Sequence, residues 1–118
     1  MIIAVTVPTE AAGASLSDAA NLRDLELIGI QFPATWVAAN LTFQVSDDST
    51  NFFDLYIDSA NTEVIVTGAV DANRFVGFSA NVRSQLGRWN FVKVRSGLTG
   101  AHVDQTASRT INLVVKHK

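Results

Sequence analysis

Hydrophobic and polar residues alternate with a period of two in several short stretches of the chain. The clearest alternation spans residues 41–47, where Leu41, Phe43 and Val45 share one side and polar residues occupy the other. Successive side chains of a β-strand point to opposite faces of the sheet, so this pattern predicts a strand with one buried and one exposed face. A polar turn and a second apolar stretch at 53–57 complete a predicted antiparallel hairpin.

Further apolar and β-branched stretches, bounded by glycine, proline or small polar residues, predict more strands. They occupy residues 1–7, 25–32, 64–67, 74–79, 89–96 and 110–116. Between them, residues 80–87 are predicted as a turn or a single helical turn, and residues 97–108 as a long polar loop. About eight strands without a long helix predict an all-β fold, a two-sheet antiparallel β-sandwich or jelly roll.

Three details of these predicted strands concern packing. Gly29 interrupts its strand and marks a predicted β-bulge or a close approach of two backbones. Either Phe75 or Phe78 points inward from the strand 74–79. In the strand 89–96, Val92 and Val94 share one face. The aromatic and cationic side chains share the other face: Trp89, Phe91, Lys93 and Arg95.

The chain of 118 residues is the size of one domain, and neither a linker nor an internal repeat divides it. We therefore expect a single β-sandwich domain over residues 1–118. Residues 8–17 are rich in alanine, glycine and serine, which predicts an irregular, flexible excursion. With the preceding residues they form a candidate N-terminal arm, residues 1–17, that lies over a neighbouring molecule.

Composition and charge exclude several classes of protein. The chain contains no cysteine, which excludes a disulfide scaffold, a thiolate metal site and a thiol nucleophile. A net charge of -2 lacks the surplus of lysine and arginine that nucleic-acid binding requires. The apolar stretches are shorter than the roughly 20 residues of a membrane span. Because no signal-peptide pattern opens the sequence, we expect synthesis in a cytoplasm and no membrane partner.

No arrangement of residues predicts catalysis. The chain lacks a phosphate-binding glycine loop and the Gly-x-Ser-x-Gly turn that activates a serine. His102 and Asp104 lie near serines in the sequence, but nothing organises a nucleophile, a base and oxyanion donors around them. We therefore expect that the protein is not an enzyme.

Acidic residues are densest around the predicted hairpin, where a calcium ion would need six or more oxygen ligands. The cluster consists of Asp47, Asp48, Asp54 and Asp58. Two phenylalanines interrupt it, and its spacing does not match a calcium-binding loop. The pattern favours a turn with solvated carboxylates, and we expect neither a metal ion nor a cofactor.

Aromatic and arginine side chains supply the candidate binding residues. Aromatic faces stack on the apolar faces of sugar rings, and they equally suit a core or an interface. An arginine near the strand 89–96 can bind a carboxylate through two parallel hydrogen bonds, and it also serves as ordinary edge-strand charge. The candidate contacts to a partner or a glycan are Trp36, Tyr56, Trp89 and Arg95.

Two long stretches of the sequence resemble a known group of proteins. The first is LIGIQFPATW (27–36), followed by ANLTFQVSDDS (39–49) and DLY (54–56); the second is FVKVRSG (91–97), followed by VDQTASRTI (103–111). In order and spacing, this pattern resembles small virion proteins of tailed bacteriophages and gene transfer agents. The resemblance covers residues 25–115, and it departs from the group at 79–81, where the relatives carry an Asp-Pro pair before a short turn.

The resemblance implies a galactose-binding-like, or discoidin-like, jelly roll on the surface of a phage particle. It implies a structural virion protein that decorates or cements the capsid by bridging capsid subunits. The implied partners are the major capsid protein and further copies of the chain, with a trimer as the expected oligomer. The alternative is a carbohydrate-binding module of a head spike or tail fibre that adsorbs to host surface glycan. No catalytic residue is carried over, and either function implies location on the virion after synthesis in the host cytoplasm.

Overall fold

The chain forms antiparallel sheets, and the computed structural model describes residues 1–8, 15–57, 62–66 and 72–118. In chain order the described elements are β1 (Ile2–Val7), β2 (Ala20–Asn21), β3 (Leu25–Gln31), β4 (Leu41–Ser46), β5 (Phe53–Asp54), β6 (Tyr56–Ile57), β7 (Thr62–Glu63), β8 (Phe75–Gly77), α1 (Ala80–Leu86), β9 (Phe91–Leu98), β10 (Ala101–His102) and β11 (Arg109–His117). The predicted all-β antiparallel sandwich is confirmed. Within the described residues, no helix has the length and apolar character needed to cross a membrane.

Two sheets carry most of the strands. The first sheet has the order β1-β11-β3-β8, and the second has the order β10-β9-β4-β5, with β2 also paired to β9. The predicted hairpin is present, because Gln44 pairs with Asp54 and Val45 with Phe53. The small β6–β7 pair, which we call the cover hairpin, follows from it along the chain. The strand predicted at 53–57 is thus divided between two pairings.

The core lies between the two sheets and contains the apolar side chains that the alternation predicts. Phe43 is fully buried, and its ring meets that of Phe78 edge-on with 6.0 Å between centroids. Val92 and Val94 are likewise fully buried. The structure also decides which phenylalanine of β8 and its flank points inward, since Phe78 is 8% exposed and Phe75 is 59% exposed.

The face of β4 that we predicted to be exposed is buried, which corrects the sequence prediction. Thr42 is fully buried, and so is Ser46. Thr42 Oγ1 donates a hydrogen bond of 2.7 Å to the carbonyl of Gly97 and accepts one of 3.2 Å from Arg95. A second layer of polar side chains therefore covers β4 on the side opposite the core.

The described parts of the candidate arm, residues 1–17, are built into the sheets. All six residues of β1 pair with β11, and Val5 and Val7 are buried. Ser17 N donates to the Val94 carbonyl at 2.8 Å, and Ser96 N donates to the Ser15 carbonyl at 3.0 Å. The expectation of an arm over a neighbouring molecule is therefore corrected for these residues, because both ends supply backbone hydrogen bonds to the chain's own sheets. Residues 9–14 lie outside the described residues.

The predicted polar loop 97–108 is also more ordered than its composition indicates. Gln105 is fully buried, and its side chain exchanges hydrogen bonds of 2.8 and 2.9 Å with the backbone of Val37. Its Nε2 also lies 3.0 Å from Ser96 Oγ. A buried amide needs such partners, so Gln105 joins this loop to the segment after Trp36.

Two glycines mark close contacts between backbones. A Cβ atom on Gly29 would lie 2.7 Å from the Val76 carbonyl oxygen, and the pairing of β3 with β11 shifts register beside it. The bulge and close approach predicted there are both present. Gly97 has a φ of 96°, and a Cβ atom there would lie 2.5 Å from Val103 N. Both positions require glycine because a side chain would displace a neighbouring backbone.

The turn predicted at 80–87 is the helix α1, about two turns long. Ser79 caps it by accepting a hydrogen bond of 3.3 Å from Val82 N. Val82 and Leu86 point into the core. The predicted strand 64–67 is reduced in the described residues to one isolated bridge, Leu41 with Val66, and Thr67 lies outside them.

Candidate functional site

A shallow groove lies at the end of the second sheet, beside the turn between β4 and β5. Its volume is about 230 Å³, and we call it the turn groove. It is lined by Ser46, Asp47, Asp48, Asn51, Phe53 and Trp89. This is smaller than the roughly 300–1,000 Å³ of pockets for drug-sized ligands, so it suits one small unit of a larger ligand.

Hydrogen bonds within the turn give the groove a defined wall. The Asp48 carboxylate accepts bonds of 2.9 Å from the backbone N–H groups of Thr50 and Asn51. It accepts two more from the side chains of Asn51 and Ser46. These bonds, those from Asn51 and Thr50 first, hold the pKa of Asp48 far below its usual range. Asp48 is thus an anion that organises the turn.

The opposite wall of the groove is aromatic. Phe53 is 67% exposed at the edge of the sheet, where β5 has no further strand beside it among the described residues. Trp89 is half-buried and packs against the core, following the end of α1. Asn90 Nδ2 donates a hydrogen bond of 3.3 Å to the Asp47 carbonyl, which holds the turn beside the tryptophan.

Asp47 completes the chemistry of the groove. Its side chain is exposed, and its carboxylate makes no hydrogen bond to any residue that the structure describes. An aromatic face beside an available carboxylate can bind a ligand with one apolar face and several hydroxyl groups.

The four predicted contact residues do not come together in one site. Trp89 lines the turn groove, and Tyr56 lies 38% exposed on the cover hairpin. Trp36 is 4% exposed and packs against Phe32, with 4.9 Å between ring centroids. Trp36 therefore offers almost no ring surface to a ligand in this structure.

Arg95 lies on the outer side of β9, in the polar layer that buries Thr42 of β4. Its guanidinium approaches Asp54 at 2.6 Å and Glu63 at 3.5 Å, and its side chain is 6% exposed. Thr99 Oγ1 also accepts a hydrogen bond of 2.6 Å from it and itself donates to Glu63. We call this group the ion cluster. It occupies the arginine with internal carboxylates and attaches the cover hairpin to β9.

The charges of the ion cluster affect one another. Burial raises the pKa of Asp54, and hydrogen bonds from Arg95 and Gln44 outweigh that effect, so its pKa lies below the ordinary value. Asp58, the fourth member of the acidic cluster of the sequence, lies outside the described residues. Within the described ranges, no group of three or more histidine, cysteine, aspartate or glutamate residues could hold a metal ion.

The outer face of the first sheet is a second candidate surface. Cross-strand partners share a face, and the pairings of β1, β11, β3 and β8 place one connected set there. This set, the uncharged face, consists of Ile2, Ala4, Thr6, Gly29, Gln31, Phe75, Gly77, Thr110, Asn112 and Val114. None of these residues is charged, and most are exposed. The sequence alone did not predict this surface, because its residues come from four strands that only the sheet pairing brings together.

Comparisons with known proteins identify no relative: no family model, no curated protein and no solved structure matches the chain. The resemblance to virion proteins therefore stays a prediction.

Proposed function

We propose that the protein is a structural protein of a tailed-phage virion that decorates the capsid and bridges its subunits. The observation that carries the proposal is the uncharged face. Phe75 is 59% exposed at one edge of this face and Ile2 is 50% exposed at the other. Between them, Asn112 Nδ2 donates to Gln31 Oε1 at 3.3 Å, so even the central polar groups partly satisfy each other.

Such a face is suited to a protein partner for a physical reason. The buried centres of protein interfaces are depleted in charge, because each charge that enters them loses its hydration. Glu26 and Lys116 lie beyond the uncharged face on the same two strands, where they form a polar rim. A weak contact through this face gains strength when many copies bind one shell, and it stabilises only the assembled shell.

The proposal is tested with particles from the phage whose genome encodes the chain. Particles lacking the protein should release their genome at a lower temperature, and added protein should restore the stability. Asn112→Lys places a charge at the centre of the uncharged face and should prevent restoration. Ser84→Lys, at an exposed position of α1, is the matched control and should restore fully. Equal stability with and without the protein would refute the proposal.

The turn groove favours a second function, a carbohydrate-binding module that adsorbs the particle to host surface glycan. Phe53 and Trp89 offer ring surface, and Asp47 offers a carboxylate to sugar hydroxyls. Phe53→Ala and Phe75→Ala each remove an exposed ring, from different sheets. Capsid binding should fall only with Phe75→Ala on the first proposal. Adsorption to host polysaccharide should fall only with Phe53→Ala on the second.

A further inference from the structure

Strand β1 forms one edge of the first sheet, and its outer side has a definite hydrogen-bonding pattern. Val115 N donates to the Met1 carbonyl at 2.9 Å, which sets the alternation of the β1–β11 ladder. In an antiparallel pair, every second residue exchanges backbone hydrogen bonds with its partner. Ile3 and Val5 therefore bond to β11, and the backbone groups of Ile2, Ala4 and Thr6 point away from the sheet.

One of these outward groups is occupied. Thr6 N donates to Asp18 Oδ1 at 2.7 Å, which also confirms the direction of the alternation. Within the described part of the chain, the outward N–H and C=O groups of Ile2 and Ala4 have no partner. The stretch 2–7 contains no charge, proline or bulge, and these are the devices that keep edge strands apart.

We propose that a second copy of this chain binds this edge, with the two β1 strands antiparallel about a two-fold axis at Ile3. In this register each Ile2 lies opposite the partner's Ala4, and the two pairs exchange four backbone hydrogen bonds. A register centred on Ala4 would direct the partner's Ile2 carbonyl at the Thr6 N–H, where the Asp18 carboxylate already lies. A register centred on Ile2 would form only two bonds. The Asp18 contact thus selects the register.

The side chains agree with this pairing. Ile3 is half-buried against the core, and in the dimer it meets its own copy across the axis. Ile2 and Ala4 lie on the uncharged face, so pairing joins the uncharged faces of two copies into one continuous surface. Because β1 carries no charge, no like charges meet at the axis. The product is a closed dimer, in contrast to the expected trimer.

This inference goes beyond the proposed function, and it is tested on the isolated protein. An edge contact is smaller than the roughly 1,200–2,000 Å² of a standard interface, so the dimer should be weak and reversible. Sedimentation equilibrium at protein concentrations up to about 1 mM should show it. A protein that stays monomeric over this range overturns the proposal.

Ala4→Pro is the decisive variant, because it deletes an outward N–H and leaves the ladder to β11 intact. It should raise the dissociation constant of the dimer roughly tenfold or more, since each copy loses one donor. Ala4→Val keeps the N–H and is the matched control, with dimerisation unchanged. Equal dissociation constants for the two variants would overturn the proposal.

Cross-linking tests the register and does not require a folded proline variant. The chain contains no cysteine, so a single introduced thiol can react only with its own copy. In the proposed register the two copies of position 3 are about 4.5 Å apart between Cα atoms, within disulfide reach. The two copies of position 4 are diagonal, at roughly 7–8 Å. Ile3→Cys should form a covalent dimer on mild oxidation and Ala4→Cys should not; the reverse result would overturn the proposed register.

Discussion

The two sheets of this sandwich treat their outer faces in opposite ways. On the second sheet, Thr42 of β4 and Arg95 of β9 are buried on the outer side, where Arg95 is paired with Asp54 of β5 and Glu63 of the cover hairpin. On the first sheet, the outer face is open and carries no charged side chain between Ile2 and Phe75. One face is covered and ionic, and the other is bare and neutral.

The difference indicates where the molecule has completed its own packing. Charges removed from water must be paired, and the ion cluster meets this requirement within one chain. A bare face without charge is unusual on a protein surface, because exposed positions favour charged side chains. The uncharged face therefore has the low desolvation cost that a partner surface needs.

Arg95→Ala should have the largest effect, because it leaves two carboxylates of the covered face without their cation. We expect a loss of about 3 kcal/mol in the free energy of unfolding, as for other buried ion pairs that lose one partner. Chemical denaturation measures it, with the exposed Arg88→Ala as the control. Adding Asp54→Asn and Glu63→Gln to the variant should recover part of the loss. Full stability in Arg95→Ala would show that the cluster does not hold the covered face.

Thr42→Val compares the two outer faces directly, because Thr110→Val is the same change on the uncharged face. Thr42→Val removes the donor to the Gly97 carbonyl and the acceptor for Arg95, so we expect a loss of about 1–2 kcal/mol. Thr110 is exposed, and its replacement should change the free energy of unfolding by less than about 0.5 kcal/mol. Equal values in denaturant titrations would mean that the two faces do not differ.

Acid should weaken the covered face through Asp54. Its pKa in the folded protein lies below the ordinary value of 3.8, so its contribution is fully present above that value and is lost as the pH falls through the folded-state pKa. The melting temperature should therefore decline below about pH 4. Asp54→Asn should flatten part of this decline, because its amide does not titrate in this range. An unchanged acid profile in the variant would assign the decline to Asp48 and Glu26, whose pKa values are also lowered.

Asn112→Ala should have the smallest effect on folding. Its side chain bonds only to Gln31 on the uncharged face within the described residues, so the free energy of unfolding should change by less than about 0.5 kcal/mol. Thermal denaturation of the isolated protein measures this change. A loss of more than 1 kcal/mol would show that the face stabilises the monomer rather than serving a partner.

The alternation of apolar residues was sufficient to predict the long strands β4, β9 and β11 and the inner face of β4. Phe43 is buried as the period-two pattern predicts, and Val92 and Val94, which the pattern places on one face, form the inner face of β9. The hairpin at the β4–β5 turn also followed from local chemistry. These features depend on neighbouring residues, so the sequence alone determined them.

The outer faces depended on contacts between residues that are distant in the sequence. Thr42 and Arg95 looked like exposed polar positions, and both are buried because they bond to each other and to groups that are distant in the sequence: the Gly97 carbonyl, Asp54 and Glu63. Gln105 was predicted in a solvent-exposed loop, but its side chain is buried because the backbone of Val37 supplies its hydrogen-bond partners. Of the four predicted contact residues, only Trp89 lines the turn groove. Periodicity shows which side chains avoid water, but only the tertiary structure decides which polar side chains find partners and which face of a sheet stays bare.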